Sequence, residues 1–250
     1  MGRRRNGIGR RIDNLAKWLL GFRVIAAPAR LVSNSRMAWS FVSRLDRIRV
    51  KRQRDRIMSG DLPQHVSIIM DGNRRFAWNL SLGREIGHRH GKEKLKEVMD
   101  WILELGIPYL TVYALSTENI KSRNPEELES LYDLYVTGLR EIAEDPRIHS
   151  KKVRVGAAGR IESLPDRVKE AISHAEERTA AYSDFTFTVC LAYGGREEIV
   201  DAVKRVATDH ASGDLDLDAI NTAEISNRLY DAHIPDPDLV IRTSGEERVS

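Results

Sequence analysis

The sequence is short of several things, and each shortage excludes something. It has a single cysteine, Cys190. One thiol cannot close an internal disulfide, so no disulfide framework is expected, and a reducing, cytoplasmic compartment suits the chain. It has no uninterrupted apolar run of the roughly 20 residues that a membrane span needs. The nearest stretch, Leu15 to Ala29, is cut by Lys17 and Arg23 and broken at Pro28, which also argues against a cleaved signal peptide. There is no Walker loop, no Gly-x-Gly-x-x-Gly run and no zinc-ligand spacing, so nucleotide- and zinc-binding classes lack support. Internal repeats are also missing.

Turning to what is there, 250 residues suffice for one sizeable α/β domain with an appendage. The net charge of +3 conceals a split. Residues 1–60 carry 16 Lys/Arg against 3 Asp/Glu, whereas 61–250 carry 24 against 34. A basic arm on an acidic body is built to meet a polyanion. The arm is also amphipathic: Ile12, Leu15, Ala16, Leu19, Phe22 and Ala26 recur at helical spacing, as do Met37, Phe41, Leu45 and Ile48, with arginines between them. Contact with an anionic membrane surface is the expected use; the alternative is a pair of helices packed on the body. The arm lacks the aromatic platform on which single-stranded nucleic acid stacks, so no nucleic-acid partner is expected.

The turn-rich segment from Met58 to Pro63 marks the boundary, predicting an N-terminal extension over 1–60 and a folded domain over 61–250. In that domain strand-like and helix-like segments alternate. Strands are predicted at 65–70, 109–115, 153–158, 185–193 and 239–242. Helices are predicted at 85–105, 125–144, from about Pro165 with Ser163 as N-cap, and at 195–210 and 222–230. Alternation with short joints predicts an α/β fold, a mostly parallel central sheet flanked by helices. Apolar strands such as SIIM and LVIR suit burial on both faces.

Ligands of open parallel sheets bind beyond the carboxyl ends of the strands. Those ends carry Asp71-Gly72-Asn73-Arg74-Arg75, Ser116 to Asn119, Gly194-Gly195-Arg196, and the segment from Arg242 to Ser250. Arginines supply planar, bidentate donors for phosphate oxygens. Gly72, Gly194 and Gly245 let backbone N–H groups approach an anion. Asp71 is the acid among these bases, suited to a Mg²⁺ that also takes phosphate oxygens. Asp-Gly-Asn is also a common turn, and Gly-Gly-Arg before a helix is often mere punctuation. His65, His149, His174, His210 and His233 read as core or surface histidines, and Cys190 as a small buried side chain.

The segments HVSIIMDGNRRFA (65–77), the G-R-x-x-G-H run ending at His88, YALSTEN (113–119), YGGREEIVDA (193–202) and DLVIRTSGEERVS (238–250) occur in this order. Together they resemble the cis-prenyltransferases, the undecaprenyl and dehydrodolichyl diphosphate synthases, over nearly all of 63–250. The resemblance implies sequential condensation of isopentenyl diphosphate onto an allylic primer, farnesyl or geranylgeranyl diphosphate, with cis double bonds. It implies an apolar product tunnel between sheet and helices, walled by Leu128, Leu131, Leu134, Tyr135 and Leu139, residues that core packing explains equally well.

By the same resemblance Asp71, Asn73 and Ser116 are the catalytic set, with Asp71 the Mg²⁺ ligand. Gly72, Arg75, Arg84 and His88 cradle the primer diphosphate, and Arg242, Arg248 and Ser250 hold isopentenyl diphosphate. Arg74, Phe76, Asn119 and Arg123 complete the substrate-binding residues. Arg74 and Phe76 stand where many bacterial members have glycine and tryptophan, as in archaeal and eukaryotic members. The segment 120–125 is one residue longer than the bacterial pattern. The small Ala114 implies a medium or long product. The family continues past the position of Ser250 with an apolar segment, dimer contacts and an acidic metal ligand. The chain is therefore expected to be C-terminally incomplete and to act as a homodimer. The alternative is a partner-dependent or non-catalytic subunit of a heteromeric prenyltransferase.

Overall fold

A computed structural model describes residues 49–73, 75 and 84–245. The chain divides into two compact units, residues 1–63 and 64–250. In the first, residues 49–58 are helical; the two amphipathic stretches expected between Ile12 and Ile48 lie outside the described residues. Among the described residues no helix is long and apolar enough to cross a membrane.

Among the described residues the second unit is built on five strands, β1 (His65–Ile69), β2 (Tyr109–Tyr113), β3 (Val153–Ala158), β4 (Phe185–Cys190) and β5 (Leu239–Arg242). Its helices are α1 (Arg84–Leu105), α2 (Thr117–Ser122), α3 (Pro125–Glu144), α4 (Pro146–Ser150), α5 (Asp166–Thr179), α6 (Gly195–Ser212) and α7 (Thr222–Ser226). The sheet runs β3-β4-β2-β1-β5, and every pairing in it is parallel.

Register explains the burial. Val66, Leu110, Phe187 and Val155 align across four strands, and Ile68, Val112, Val189 and Ile241 form the next tier. Paired residues share a face, so one face of the sheet is apolar and buried throughout these tiers. The opposite face is polar yet buried at His65, Ser67, Thr111 and Thr188. Its groups are satisfied, as burial demands. The His65 ring bonds the Pro235 carbonyl at 2.6 Å and Thr111 Oγ1 at 2.9 Å, and Thr188 Oγ1 donates to Asp231 at 2.7 Å. Cys190 lies on this face, buried, with its thiol pKa pushed well up by desolvation.

A helix layer forms where α3 packs against α1 and α5, and α5 against β3. Asn124 caps α3 by accepting the Glu127 N–H at 2.7 Å, with Pro125 in the first turn. The buried stripe Leu131, Leu139 and Ala143 follows at helical spacing. A polar clasp ties the end of β3 to α6: Arg160 donates twice to Asp201, and Tyr230 donates once at 2.5 Å. The guanidinium, with the tyrosine hydroxyl, holds Asp201 down at about 2.

Some boundaries differ from the sequence expectation. β2 ends at Tyr113 and β4 at Cys190, because the chain turns there to build the site. The expected helix 222–230 stops at Ser226. Ser163 does not cap α5; it closes the 3₁₀ turn Ile161–Ser163 and donates to the Arg160 carbonyl, while Pro165 holds the N-cap position. Two short helices, α2 and α4, were not anticipated, since five or six residues are too few to show a period.

Candidate active site

Five parallel strands deliver their carboxyl ends to one edge of the sheet, where a cavity of ≈ 1580 Å³ opens between sheet and helices. Its polar part is lined by Asp71, Gly72, Asn73, Arg75, His88, Ser116, Asn119, Arg123 and Arg242. Its apolar part is lined by Leu95 and Met99 of α1, Leu131, Leu134, Tyr135 and Leu139 of α3, and Phe187 and Val189 of β4. Leu128, expected with them, does not line it. Ala114 does, and its carbonyl accepts the Tyr135 hydroxyl at 3.1 Å.

Asp71 is held by its own loop and by β5. Thr243 Oγ1 accepts the Asp71 N–H at 2.9 Å and also bonds the Asp71 carbonyl. The Gly72 N–H donates to Asp71 Oδ1 at 2.6 Å, which fixes the carboxylate against its own backbone. Arg242 donates to Oδ2 through Nη2 at 3.0 Å and Nε at 3.3 Å, and Arg75 Nη2 stands 3.8 Å away. β1 and β5 are neighbours in parallel register, Ile69 opposite Arg242, so an acid and a base 171 residues apart meet at adjacent strand ends. The resemblance assigns these two residues to different substrates; the ion pair makes those two places contiguous.

A second cluster follows β2. Ser116 caps α2, its Oγ accepting the Asn119 N–H at 3.1 Å and Asn119 Nδ2 at 2.7 Å. Both acceptor positions of the hydroxyl are thereby taken, which leaves Ser116 to act as a donor. Asn119 Oδ1 in turn accepts from Arg123 Nε and Nη2 at 3.3 and 3.2 Å. Arg123 Nη1 donates to Glu127 at 2.7 Å, with His88 Nε2 3.5 Å from the same carboxylate oxygen. These three side chains are 11% exposed or less. Arg123 thus braces Asn119, and through it Ser116, at the cavity wall. Tyr113 (about 12), Tyr135 and Tyr193 have hydroxyl pKa values raised by burial, so all three remain protonated donors near neutrality.

Among the expected site residues, Asp71, Gly72, Asn73, Arg75, His88, Ser116, Asn119, Arg123 and Arg242 converge on one cavity. Arg84 opens α1. Arg74, Phe76, Arg248 and Ser250 lie outside the described residues. Sequence reasoning passed over Glu127, whose signal was its place four residues after Arg123, a helix-pair spacing. It also passed over Thr243, for which only the meeting of β1 and β5 supplies a reason.

Among the described residues no three His, Cys, Asp or Glu side chains cluster as a metal cage. A magnesium site takes one or two carboxylates and completes its shell with waters and substrate phosphate. Asp71, one-third exposed at the cavity mouth beside cationic Arg75 and Arg242, offers such a donor.

The chain matches the family model described as putative undecaprenyl diphosphate synthase over residues 69–250. A tritrans,polycis-undecaprenyl-diphosphate synthase (geranylgeranyl-diphosphate specific) of Methanopyrus kandleri is 50% identical over 196 residues, 78% of this chain and 72% of that protein. The protein of the same name from Methanocaldococcus jannaschii is 44% identical over 246 residues, 98% of this chain and 84% of that one. The crystal structure of lavandulyl diphosphate synthase from Lavandula x intermedia, in complex with dimethylallyl diphosphate, superposes with a TM-score of 0.71 at 34% identity, covering 75% of this chain and 80% of that one. A probable undecaprenyl diphosphate synthase from Campylobacter jejuni gives 0.61 at 27%, covering 76% and 80%. By sequence, by fold and by the residues gathered at its strand ends, the chain belongs to the undecaprenyl diphosphate synthase family of cis-prenyltransferases.

Proposed function

We propose that the chain extends geranylgeranyl diphosphate with isopentenyl diphosphate, forming cis double bonds and a polyprenyl diphosphate. The observation that carries this reading is one cavity with two characters. One part of its wall carries arginines, a carboxylate and hydrogen-bond donors, and another carries leucine, methionine and phenylalanine, with Lys92, Lys96, Glu141, Asp145 and Arg147 also lining it. A diphosphate headgroup matches the first and a growing hydrocarbon chain the second. The choice of primer follows the names of the archaeal relatives.

In this reading Asp71 holds Mg²⁺, which when bound supplies charge stabilisation to the departing diphosphate. Arg75 and His88 orient the primer headgroup, Arg242 the extender headgroup, and Ser116 donates a hydrogen bond to substrate. Asn73 places its carboxamide beside the reacting carbons. The apolar wall keeps water from the allylic cation and accepts the lengthening chain.

The test is incubation with radiolabelled isopentenyl diphosphate, Mg²⁺ and either farnesyl or geranylgeranyl diphosphate, followed by chromatography of the products. Extended products with geranylgeranyl diphosphate are expected. Folded protein that extends neither primer would overturn the reading, and a strong preference for farnesyl diphosphate would overturn the primer assignment. The same reading includes a homodimer. Ile199, Val200 and Val203 expose an apolar face on α6, each about half accessible, which suits association. Light scattering should return about twice the 28.4 kDa of one chain, and Val203→Glu should shift it toward the monomer; a monomeric parent protein would remove the dimer.

A further inference from the structure

Gly91 sits on α1 three residues after His88, on the same face of the helix, and is buried. What it faces is Asn73. A β-carbon on Gly91 would lie 2.7 Å from Asn73 Nδ2 and 3.0 Å from both Cγ and Oδ1. Non-bonded heavy atoms rest at about 3.5–4.0 Å, so a methyl group there and the carboxamide cannot both keep these places. All three obstructed atoms belong to that one carboxamide.

Two further facts separate this contact from ordinary packing. Asn73 lines the cavity and Gly91 does not, so the glycine stands behind the carboxamide and outside the space a substrate enters. Gly91 is also absent from the glycines with positive φ. Its backbone is helical, a conformation that alanine adopts more readily than glycine. Nothing in the helix itself asks for glycine at 91; the demand comes from Asn73.

We propose that Gly91 is a positioning residue for the reaction. By lacking a side chain it lets α1 close on the loop after β1 and sets the Asn73 carboxamide at the cavity mouth, two residues from Asp71. The proposal rests on the reading that Asn73 serves the chemistry, and the experiment separates the two.

Gly91→Ala and Asn73→Ala are made singly and together, and each protein is assayed at saturating isopentenyl and geranylgeranyl diphosphate. Thermal midpoints and the affinity for geranylgeranyl diphosphate are measured alongside. Gly91→Ala alone should lower kcat by about 10- to 100-fold, the effect expected when a reacting group is displaced by about 1 Å. Its midpoint should be unchanged or raised, and affinity and KM should stay within about threefold. In the Asn73→Ala background the obstructed atoms are gone, so adding Gly91→Ala should cost nothing further, within about twofold. An equal loss in both backgrounds would overturn the proposal, because the glycine would then act through packing alone. Normal kcat for Gly91→Ala beside a disabled Asn73→Ala would overturn the positioning role while sparing the reading of Asn73. Normal kcat for Asn73→Ala would overturn both.

Discussion

Replacing Asp71 by asparagine should lower turnover by about 10²- to 10³-fold and leave the fold standing. The loss corresponds to about 3–4 kcal/mol of charge stabilisation at the departing diphosphate. Asparagine keeps the shape of the carboxylate and an oxygen able to accept the Gly72 N–H, and the backbone contacts to Thr243 do not involve the side chain. What disappears is the negative charge that Arg242 and Arg75 face. That pairing is partly solvated, with Asp71 33% and Arg242 20% exposed, so its own contribution to stability is at most about 1 kcal/mol. The thermal midpoint should therefore move little while kcat collapses, and the Mg²⁺ concentration giving half-maximal residual activity should rise. Turnover within threefold of the parent protein would remove Asp71 from the mechanism.

The second large effect is on stability. Gly159 follows β3 with φ of 123°, and a β-carbon there would lie 2.0 Å from the Leu191 carbonyl oxygen, 3.1 Å from its carbon and 3.3 Å from the Ala192 carbonyl carbon. Unlike the carboxamide opposite Gly91, the obstructing atoms here are backbone. Nor can that backbone yield. The Leu191 N–H donates to Ala158, the Tyr193 N–H to Leu115, and the Cys190 carbonyl accepts the Ala114 and Leu115 N–H groups. Moving Leu191 would drag the joined ends of β2, β3 and β4. Gly159→Ala should cost about 3–5 kcal/mol, combining a forbidden φ with the clash. Gly213→Ala is the control: it also has positive φ, 84°, but nothing lies within 4 Å of its β-carbon, so it should cost only about 1–2 kcal/mol. Urea unfolding midpoints read both. Equal costs at the two sites would show that steric contact with Leu191 contributes nothing.

These two predictions draw on different levels of legibility. Asp71 could be singled out in the sequence because it is the acid among arginines and glycines at several strand ends; locally, Asp-Gly-Asn reads as a turn. The strands themselves were legible from local composition: SIIM and LVIR read as β-structure without any partner being known, but the burial on both faces expected of LVIR does not hold, since Val240 is 47% exposed on β5 at the end of the strand order. The start of α3 was legible from Asn124-Pro125, whose capping chemistry lies within a few residues. Ser163 misled because its hydroxyl had a nearer acceptor, the Arg160 carbonyl, than the helix it precedes. Arg123 was legible only as a motif match; its buried pair with Glu127 one turn later, and its bonds to Asn119, needed the fold.

By itself the sequence determined the α/β alternation, the kinds of residue at each strand end, the family, and the split between basic arm and acidic body. They follow from periods, caps, short motifs in order and charge counts along the chain, none of which needs a contact between distant residues. The tertiary structure alone decided the strand order β3-β4-β2-β1-β5, the pairing of Asp71 with Arg242, the seating of Asn73 against Gly91, and the blocking of Gly159 by Leu191. The physical reason is distance along the chain. Each of these contacts joins residues 18 to 171 positions apart: parallel pairing brings Asp71 to Arg242 and Gly159 to Leu191 only after helices have crossed back over the sheet, and Asn73 meets Gly91 only once α1 packs back on the loop after β1. Whether a glycine is a turn, a packing surface or a positioning device depends on what arrives opposite it.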